Sequence, residues 1–266
     1  MGSRNDSTRF RSTAEYYAQY RLTYGESAIG YLKDRYDLDD SSRVLDLGCG
    51  TGQITIPIAE YAGEVVGMDP NQEMLTKAEE AARTTGVESV EFVRGSDSNL
   101  SDDLGSFTLV TMGRAFHWMD QHRTLRRLRS MVDVGGGVAI LDDSNWFTSG
   151  NKEWQKAVYD LANDYLSDLP DWIGSEDVEY EDPWDEMIAE YFDDVESITY
   201  EREHEWNLDS IVGYVFSLSY CSPETFGDDR QAFETELREF LAGYDGEFTQ
   251  DRNVEIISGK KVVGDE

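Results

Sequence analysis

The stretches VLDLGCGTGQ at residues 44–53 and EVVGMDPN at residues 64–71 decide the fold of this chain. Each begins as a short apolar run, which is typical of a buried strand. The first run is followed by three alternating glycines, Gly48, Gly50 and Gly52. Glycine lets the backbone turn sharply and lets a ligand lie directly against it. Asp69 ends the second run, where an acceptor for the ribose hydroxyls of an adenosine cofactor is expected. The two stretches therefore predict a cofactor-binding strand, turn, helix and strand.

The rest of the chain predicts a parallel α/β sheet, because strands separated by helices of ten or more residues need crossover connections. Two helices are predicted within residues 7–37. The next predicted strands are 43–47, 64–69, 89–94, 107–112 and 136–142, and the helices between them are 53–62, 71–85 and 120–132. Further helices are predicted at 151–167, 184–192, 208–219 and 229–243, with an acidic loop at 168–182 and strands at 195–203 and 254–263.

Asp46 and Gln53 narrow the kind of cofactor site. Asp46 lies two residues before Gly48, and Gln53 stands where the dinucleotide fingerprint G-x-G-x-x-G would have its last glycine. The set of Asp46, the glycine run and Asp69 resembles the S-adenosylmethionine signature of class I methyltransferases. The resemblance implies a Rossmann-like, mostly parallel sheet of seven strands with helices on both faces, its last strand antiparallel, plus a helical N-terminal cap and a lid. It also implies S-adenosylmethionine as the cofactor. Another nucleotide-binding Rossmann relative is the alternative.

The segment FTLVTMGRAFHWMD at residues 107–120 is the next most distinctive feature. It resembles small-molecule methyltransferases of the ubiquinone-biosynthesis and trans-aconitate types, whose fourth strand ends in an Ala-Phe-His-Trp loop. The resemblance implies that Arg114, His117 and Trp118 lie beside the transferring methyl group. His117 has an intrinsic pKa suited to a general base. Packing against Trp118 is the alternative role for this histidine.

The resemblance also assigns the remaining site residues. The cofactor-binding positions are Asp46, Gly48, Cys49, Gly50, Gly52, Asp69, Pro70, Met74, Asp97, Ser98 and Arg114, with Tyr16 and Arg21 from the N-terminal helices. The acceptor-binding positions are Tyr20, Phe116, Trp118 and Trp146. Several of these have structural alternatives: Asp46 as a cap of the glycine turn, Asp97 and Ser98 as a polar turn, Met74 as core, and the N-terminal tyrosines and Trp146 as packing residues.

We expect one domain made of four segments, since no linker rich in Ser, Gly or Pro divides the chain. These are an N-terminal helical cap at 1–41, a cofactor-binding core at 42–145, a lid or substrate region at 146–206, and a C-terminal completion of the sheet at 207–266.

The chain is strongly acidic, with 55 Asp and Glu against 23 Lys and Arg and a net charge of -32. Only six of the basic residues are lysines. This composition is typical of proteins from salt-accumulating halophiles, where a Debye length of a few ångströms screens the self-repulsion. It also argues against a nucleic-acid partner, which needs clustered Lys and Arg. Arg123, Arg126, Arg127 and Arg129 form the main basic cluster, interpreted as a solvated helix face.

Two cysteines, Cys49 and Cys221, offer neither a disulfide framework nor metal-ligand spacing and fit a reducing compartment. No apolar run approaches the length of a membrane span, and no signal peptide is recognised, so we expect a cytoplasmic protein without membrane contact. The expected partner is a small-molecule methyl acceptor. An RNA or protein methyltransferase on the same fold, and a cofactor-binding module without catalysis, are the alternatives. No Asn/Asp-Pro-Pro-Tyr/Phe motif of amino methylation is found.

Overall fold

A computed structural model describes residues 12–143, 145–166, 169 and 184–262, so the acidic loop expected at 168–182 lies almost wholly outside the described residues. The strands are β1 (Arg43–Leu47), β2 (Glu64–Asp69), β3 (Val90–Arg94), β4 (Phe107–Gly113), β5 (Val132–Asp143), β6 (Asp193–Glu205) and β7 (Thr249–Lys260). The α-helices are α1 (Ala14–Tyr20), α2 (Glu26–Arg35), α3 (Thr55–Ile58), α4 (Gln72–Thr85), α5 (Gln121–Met131), α6 (Trp146–Ser149), α7 (Glu153–Tyr165), α8 (Trp184–Ala189), α9 (Leu208–Ser217), α10 (Pro223–Phe226) and α11 (Arg230–Gly243).

The strands form one sheet of seven in the order β3-β2-β1-β4-β5-β7-β6. The first five are parallel to one another, while β7 is antiparallel to both β5 and β6. This confirms the predicted mostly parallel sheet and its antiparallel last strand. The strand order reverses at β1 and β4, and in open α/β sheets the carboxyl edge at such a reversal is where ligands bind. The loops after β1, β2 and β4 all open at that edge.

Helix α3 is shorter than the expected helix at 53–62. Its start is fixed at Thr55, whose backbone N–H and hydroxyl both donate to Asp46 at 3.1 and 2.6 Å. Beyond Ile58 the backbone bonds span only three residues, from Ala59 N to Ile56 O and from Tyr61 N to Ile58 O. Such tight turns do not continue an α-helix. The side chain of Asp46 and the turn after α3 thus limit the helix to one turn.

Three hydrophobic clusters stabilise the fold. One face of the sheet packs against α5 and α8, and the other against α2 and α3. The third cluster lies among α6, α7, α9 and α11, and includes the fully buried rings of Trp146, Phe147 and Trp154. Among the described helices, none has both the length and the apolar character that a membrane crossing requires. The helical cluster packs beyond the carboxyl edge of the sheet, and α1 packs on α9.

Candidate active site

The glycine loop between β1 and α3 is anchored to the end of β2. Gly48 and Cys49 donate their backbone N–H groups to the carbonyl of Met68 at 2.7 and 3.0 Å. Gly50 donates its N–H to Oδ2 of Asp69 at 2.9 Å. All three glycines of the run have positive φ, at 79, 54 and 86°. The loop therefore turns tightly across the ends of two adjacent strands, with Gly48 and Gly50 partly exposed.

Gly48 brings this loop against the loop that follows β4. A Cβ atom at Gly48 would lie 2.4 Å from Cβ of Ala115, closer than two carbon atoms can approach. Only a residue without a side chain fits there. The two most distinctive stretches of the sequence are thus in direct contact at the carboxyl edge of the sheet.

Asp46 is buried at the end of β1 and is only 1% exposed. Besides the two bonds from Thr55, its carboxylate accepts one from the hydroxyl of Thr111 on β4 at 2.9 Å. Burial raises the pKa of this carboxyl to about 6, and the hydrogen bonds from Thr55 and Thr111 oppose that rise. In this structure Asp46 caps the glycine turn, which is the alternative considered above for its role.

Asp69 lies at the tip of β2 with both carboxylate oxygens in use. Oδ2 accepts from Gly50 N, and Oδ1 accepts from Asn71 N at 2.8 Å. Burial raises the pKa of Asp69, and the two backbone hydrogen bonds work against that rise. Each carboxylate oxygen has a second lone pair, so the group can still accept bonds from a ligand. Pro70 follows it and precedes Asn71, the N-cap of α4.

Of the residues predicted to lie beside the adenine, Met74 is in the core, whereas Asp97 and Ser98 lie nearer the surface. Met74 is 3% exposed and packs as a core residue. Asp97 and Ser98 form a 3₁₀ turn after β3. Asp97 accepts a bond from Asp120 N at 3.3 Å, and Ser98 donates its backbone N–H to the hydroxyl of Ser96 at 3.3 Å. The turn lies at the same edge of the sheet as the glycine loop.

In the loop after β4, the residues predicted to lie at the site differ in how exposed their side chains are. Phe116 is fully buried and packs edge-on against Trp184, with ring centroids 5.7 Å apart. It belongs to the core, not to a surface that an acceptor can reach. His117 is exposed, and its ring centroid lies 4.9 Å from that of Trp118. Of the predicted residues in this loop, His117 is therefore exposed and Trp118 is half-buried, whereas Phe116 is enclosed.

Helix α1 presents a different tyrosine to the glycine loop from the two selected by sequence. Tyr16 packs on Phe216 and accepts a bond from Arg230 at 2.7 Å, so it faces α9 and α11. The Tyr20 ring lies against Gly213 of α9. Tyr17 instead covers the loop, since a Cβ at Gly50 would lie 3.8 Å from its Cε1 atom. Adjacent helical residues point about 100° apart, and the tyrosine pattern alone did not identify which one faces the cofactor loop.

Arg21 and Trp146 border Tyr214 of α9. The guanidinium of Arg21 lies 4.9 Å from the Tyr214 ring and 5.1 Å from that of Tyr17. Trp146 stacks on Tyr214 at 5.0 Å and is 1% exposed, so it is a core residue of the helical cluster. Arg21 was identified by sequence, whereas its i,i−4 partner Tyr17 was missed although that spacing is a recognisable helical pair.

Arg114 points away from the loop that follows it. Its backbone has a φ of 52°, and its guanidinium donates to the hydroxyl of Tyr24 at 2.9 Å and to the carbonyl of Leu22 at 2.8 Å. The Arg114 side chain therefore bonds the segment between α1 and α2. This differs from the direct contact with the cofactor that was predicted for it. Arg114 also contacts Gln53, which was used above only to argue against a dinucleotide fingerprint, and Asp143, which was not singled out from the sequence.

Comparison with known proteins agrees with the cofactor-binding site predicted from the sequence. Residues 44–136 match the family model described as a methyltransferase domain. An uncharacterized methyltransferase of Bacillus subtilis, YcgJ, is 27% identical over 138 residues, which cover 52% of this chain and 54% of that protein. Demethylmenaquinone methyltransferase of Bacillus subtilis is 30% identical over 112 residues, covering 41% of this chain and 48% of that protein. The chain thus aligns with about half the length of each of these curated relatives.

Solved structures extend the similarity to the whole fold. The crystal structure of YcgJ superposes with a TM-score of 0.55 and 19% identity, covering 90% of this chain and 99% of that one. The 4+2 cyclase SpnF superposes with a TM-score of 0.53 and 13% identity, covering 97% and 95%. These likenesses concern the fold alone. The domain match and the seven-stranded sheet together identify residues 44–136 as a methyltransferase domain within a Rossmann-like fold.

Proposed function

We propose that the protein transfers a methyl group from S-adenosylmethionine to a small-molecule acceptor. The observation that carries this proposal is the contact between two loops at the carboxyl edge of the sheet. One is the glycine loop closed by Asp69, and the other, in contact with it at Gly48 and Ala115, presents His117. A cofactor held by the first loop would lie beside the second, at the carboxyl edge where open α/β sheets bind ligands.

The residues present fit this cofactor. Gly48 and Gly50 of the glycine loop are partly exposed, and Tyr17 lies over Gly50 from α1. Asp69 would bind the ribose hydroxyls with its remaining lone pairs, and Asp97 and Ser98 would bind the adenine. Arg21, whose buried Nε has no hydrogen-bond partner in the structure, would bind a carboxylate. Asp46 would act through the loop it caps.

Methyl transfer is an in-line displacement at an electrophilic methyl carbon that the cofactor supplies. The protein's contribution is to position the acceptor and to exclude water. When the acceptor arrives protonated, His117 would take the proton at a ring nitrogen. An acceptor that arrives deprotonated needs no base, and His117 then serves with Trp118 as part of the acceptor surface.

The charge distribution supports a small-molecule acceptor in place of a nucleic acid. Two arginines of the basic cluster on α5 are already paired with acids, Arg127 with Asp102 at 2.8 Å and Arg129 with Asp193 at 3.2 Å. Their charge is therefore partly neutralised for phosphate binding. We also propose a cytoplasmic location, a halophilic origin, and the four-segment division at residues 41/42, 145/146 and 206/207.

Calorimetric titration tests the cofactor. The purified protein in about 2 M KCl, chosen to screen its own charge, is titrated separately with S-adenosylmethionine, S-adenosylhomocysteine and NAD. We expect the first two to bind and NAD not to bind. Binding of NAD alone would contradict the proposal and favour another nucleotide-binding Rossmann relative.

A module that binds the cofactor without transferring its methyl group is the second candidate, because a cyclase shares the fold. Incubation with a cell extract and S-adenosylmethionine carrying a labelled methyl group separates the two. Transfer is seen as a labelled small molecule that has gained one methylene in mass. Cofactor binding with no labelled product would support the module, and undiminished transfer by His117→Ala would remove the histidine from the mechanism.

A further inference from the structure

The segment between α1 and α2, residues 21–24, is held by side chains from three other parts of the fold; we refer to it as the strap. Three successive carbonyls of the strap each accept a bond from a different side chain. They are Arg21 O from Gln53 Nε2 at 3.0 Å, Leu22 O from Arg114 Nη2 at 2.8 Å, and Thr23 O from Arg252 Nη2. An extended segment whose carbonyls are bound in this way is fixed in position although it has no regular secondary structure.

Arg114 joins the strap to the glycine loop. Its Nη2 atom donates both to Leu22 O and to Oε1 of Gln53, the latter at 2.9 Å. Gln53 directly follows the last glycine of the loop, and its other amide atom donates to Arg21 O. One guanidinium and one amide therefore connect the end of β4, the glycine loop and the strap in a closed set of hydrogen bonds.

Asp143 is the buried carboxylate that faces both Arg114 and Arg252. Its carboxylate accepts two bonds from Arg252, at 2.7 and 2.8 Å, and lies 3.7 Å from Nη1 of Arg114. The side chains of Asp143 and Arg252 are each 6% exposed and that of Arg114 is 11% exposed. One carboxylate thus serves two buried cations, and the remaining positive charge is solvated by the strap carbonyls. Buried charges need such partners. Displacing the strap would therefore leave the guanidinium groups of Arg114 and Arg252 buried without the carbonyls that accept their hydrogen bonds.

The protonation and backbone of Arg114 suit this role. Burial by itself would lower the pKa of its guanidinium, but the hydroxyls of Tyr24 and Tyr17 and the carboxylate of Asp143 outweigh burial and raise it. Its φ of 52° is a conformation that residues other than glycine seldom adopt. Such strain persists only where the surroundings hold the residue in place.

We propose that Arg114 and Asp143 are positioning residues, which hold the strap and, through it, α1 with Tyr17 against the glycine loop. This inference rests on the proposed function, because the affinity that it predicts is for a methyltransferase cofactor. The pair acts through the strap and replaces the direct cofactor contact that the resemblance implied for Arg114. Arginine is required because its fork bonds several acceptors at once, which lysine cannot do.

Two measurements on Arg114→Gln test the proposal. S-adenosylhomocysteine affinity is measured by calorimetry, and release of the strap by the rate of trypsin cleavage after Arg21, identified by mass spectrometry. We expect affinity to fall about tenfold or more and cleavage after Arg21 to accelerate by a similar factor. Arg129→Gln is the matched control, since it breaks a partly exposed pair between Arg129 of α5 and Asp193 of β6, away from the carboxyl edge of the sheet, and should change neither quantity. Arg114→Lys should recover only part of the affinity.

Gln53→Ala keeps the proposal testable if Arg114→Gln does not fold, because it removes the link to the strap without leaving a buried charge unpaired. It should change affinity and cleavage in the same direction as Arg114→Gln. Weaker binding with unchanged cleavage would overturn the proposal in favour of direct ligand contact, and no change in either would also overturn it. If the wild-type protein binds no S-adenosylhomocysteine, the proposed function fails, while faster cleavage in the variants would still support the hold on the strap.

Discussion

At the residue scale, Gly48 offers a clean test of how close the two site loops must be. Gly48 and Gly86 have similar φ values, 79 and 74°, but a Cβ at Gly86 would meet nothing within 4 Å whereas one at Gly48 would meet Ala115. Alanine at Gly86 should therefore cost only the left-handed backbone penalty, about 1 kcal/mol. Alanine at Gly48 adds overpacking and should cost about 2–4 kcal/mol of unfolding free energy. Urea unfolding measures both, and equal losses would contradict the proposed contact.

Asp46 gives a second residue-scale prediction, about pH. Its folded pKa of about 6 lies above the ordinary value of about 3.9, so the native state holds its proton more tightly than the unfolded state. The resulting stability is fully present below pH 4 and is lost as the pH rises through 6. The free energy of unfolding of the wild type, minus that of Asp46→Asn, should therefore fall by roughly 2–3 kcal/mol between pH 4 and 7. Parallel pH profiles for the two proteins would exclude this.

Single residues also mark the limit of what the sequence predicts. Gly48, Gly50 and Asp69 were identifiable because a tight turn after a strand needs glycine and an acid ends the next strand. Tyr17 was not, because its distance from Gly50 depends on how α1 docks. The same holds for Arg114, whose direction follows from a positive φ that no side-chain pattern signals.

At the scale of elements, the order of strands and helices was predictable because their hydrophobic periods differ. The first and last residues of an element were harder to predict where contacts with another part of the chain determine them. Strands β6 and β7 pair with each other from Asp193 opposite Lys260 to Glu205 opposite Thr249. Strand β6 therefore extends beyond both predicted limits, whereas β7 begins before the predicted residue 254 and ends before the predicted residue 263. Helix α3 is shortened by a side chain from β1. Pairing and capping of this kind are tertiary effects that local propensity does not contain.

The docking of α1 on α9 yields a prediction about elements. A Cβ at Gly213 of α9 would lie 2.1 Å from the Tyr20 ring, so Gly213→Ala should push α1 away and cost about 1–3 kcal/mol. Gly30 lies within α2 with nothing within 4 Å of its built Cβ, so Gly30→Ala should stabilise the fold by about 0.5–1 kcal/mol through helix propensity. Thermal unfolding in the same salt compares the two. Stabilisation by both substitutions would contradict close packing of α1 on α9.

At the scale of the whole molecule, with a net charge of -32, salt acts differently on the buried charges of the site and on the exposed charges of the surface. The set of Arg114, Asp143 and Arg252 is buried away from the ions of the solvent, so added salt changes its energy little. Pairs such as Lys33 with Asp34 are exposed and contribute little to stability. The unpaired surface carboxylates therefore dominate the dependence of stability on salt.

We expect the thermal midpoint to rise by many degrees between about 50 mM and about 2 M KCl, because the Debye length falls from above 10 Å to below 3 Å and the repulsion among carboxylates is screened. Circular dichroism follows unfolding at each concentration. Sucrose is the control, since it favours the compact state by exclusion from the surface but does not screen charge. If repulsion limits stability, KCl should have most of its effect below about 1 M, where screening changes fastest, whereas sucrose should act in proportion to its concentration. Full stability in about 50 mM salt would contradict both the screening argument and the proposed halophilic origin.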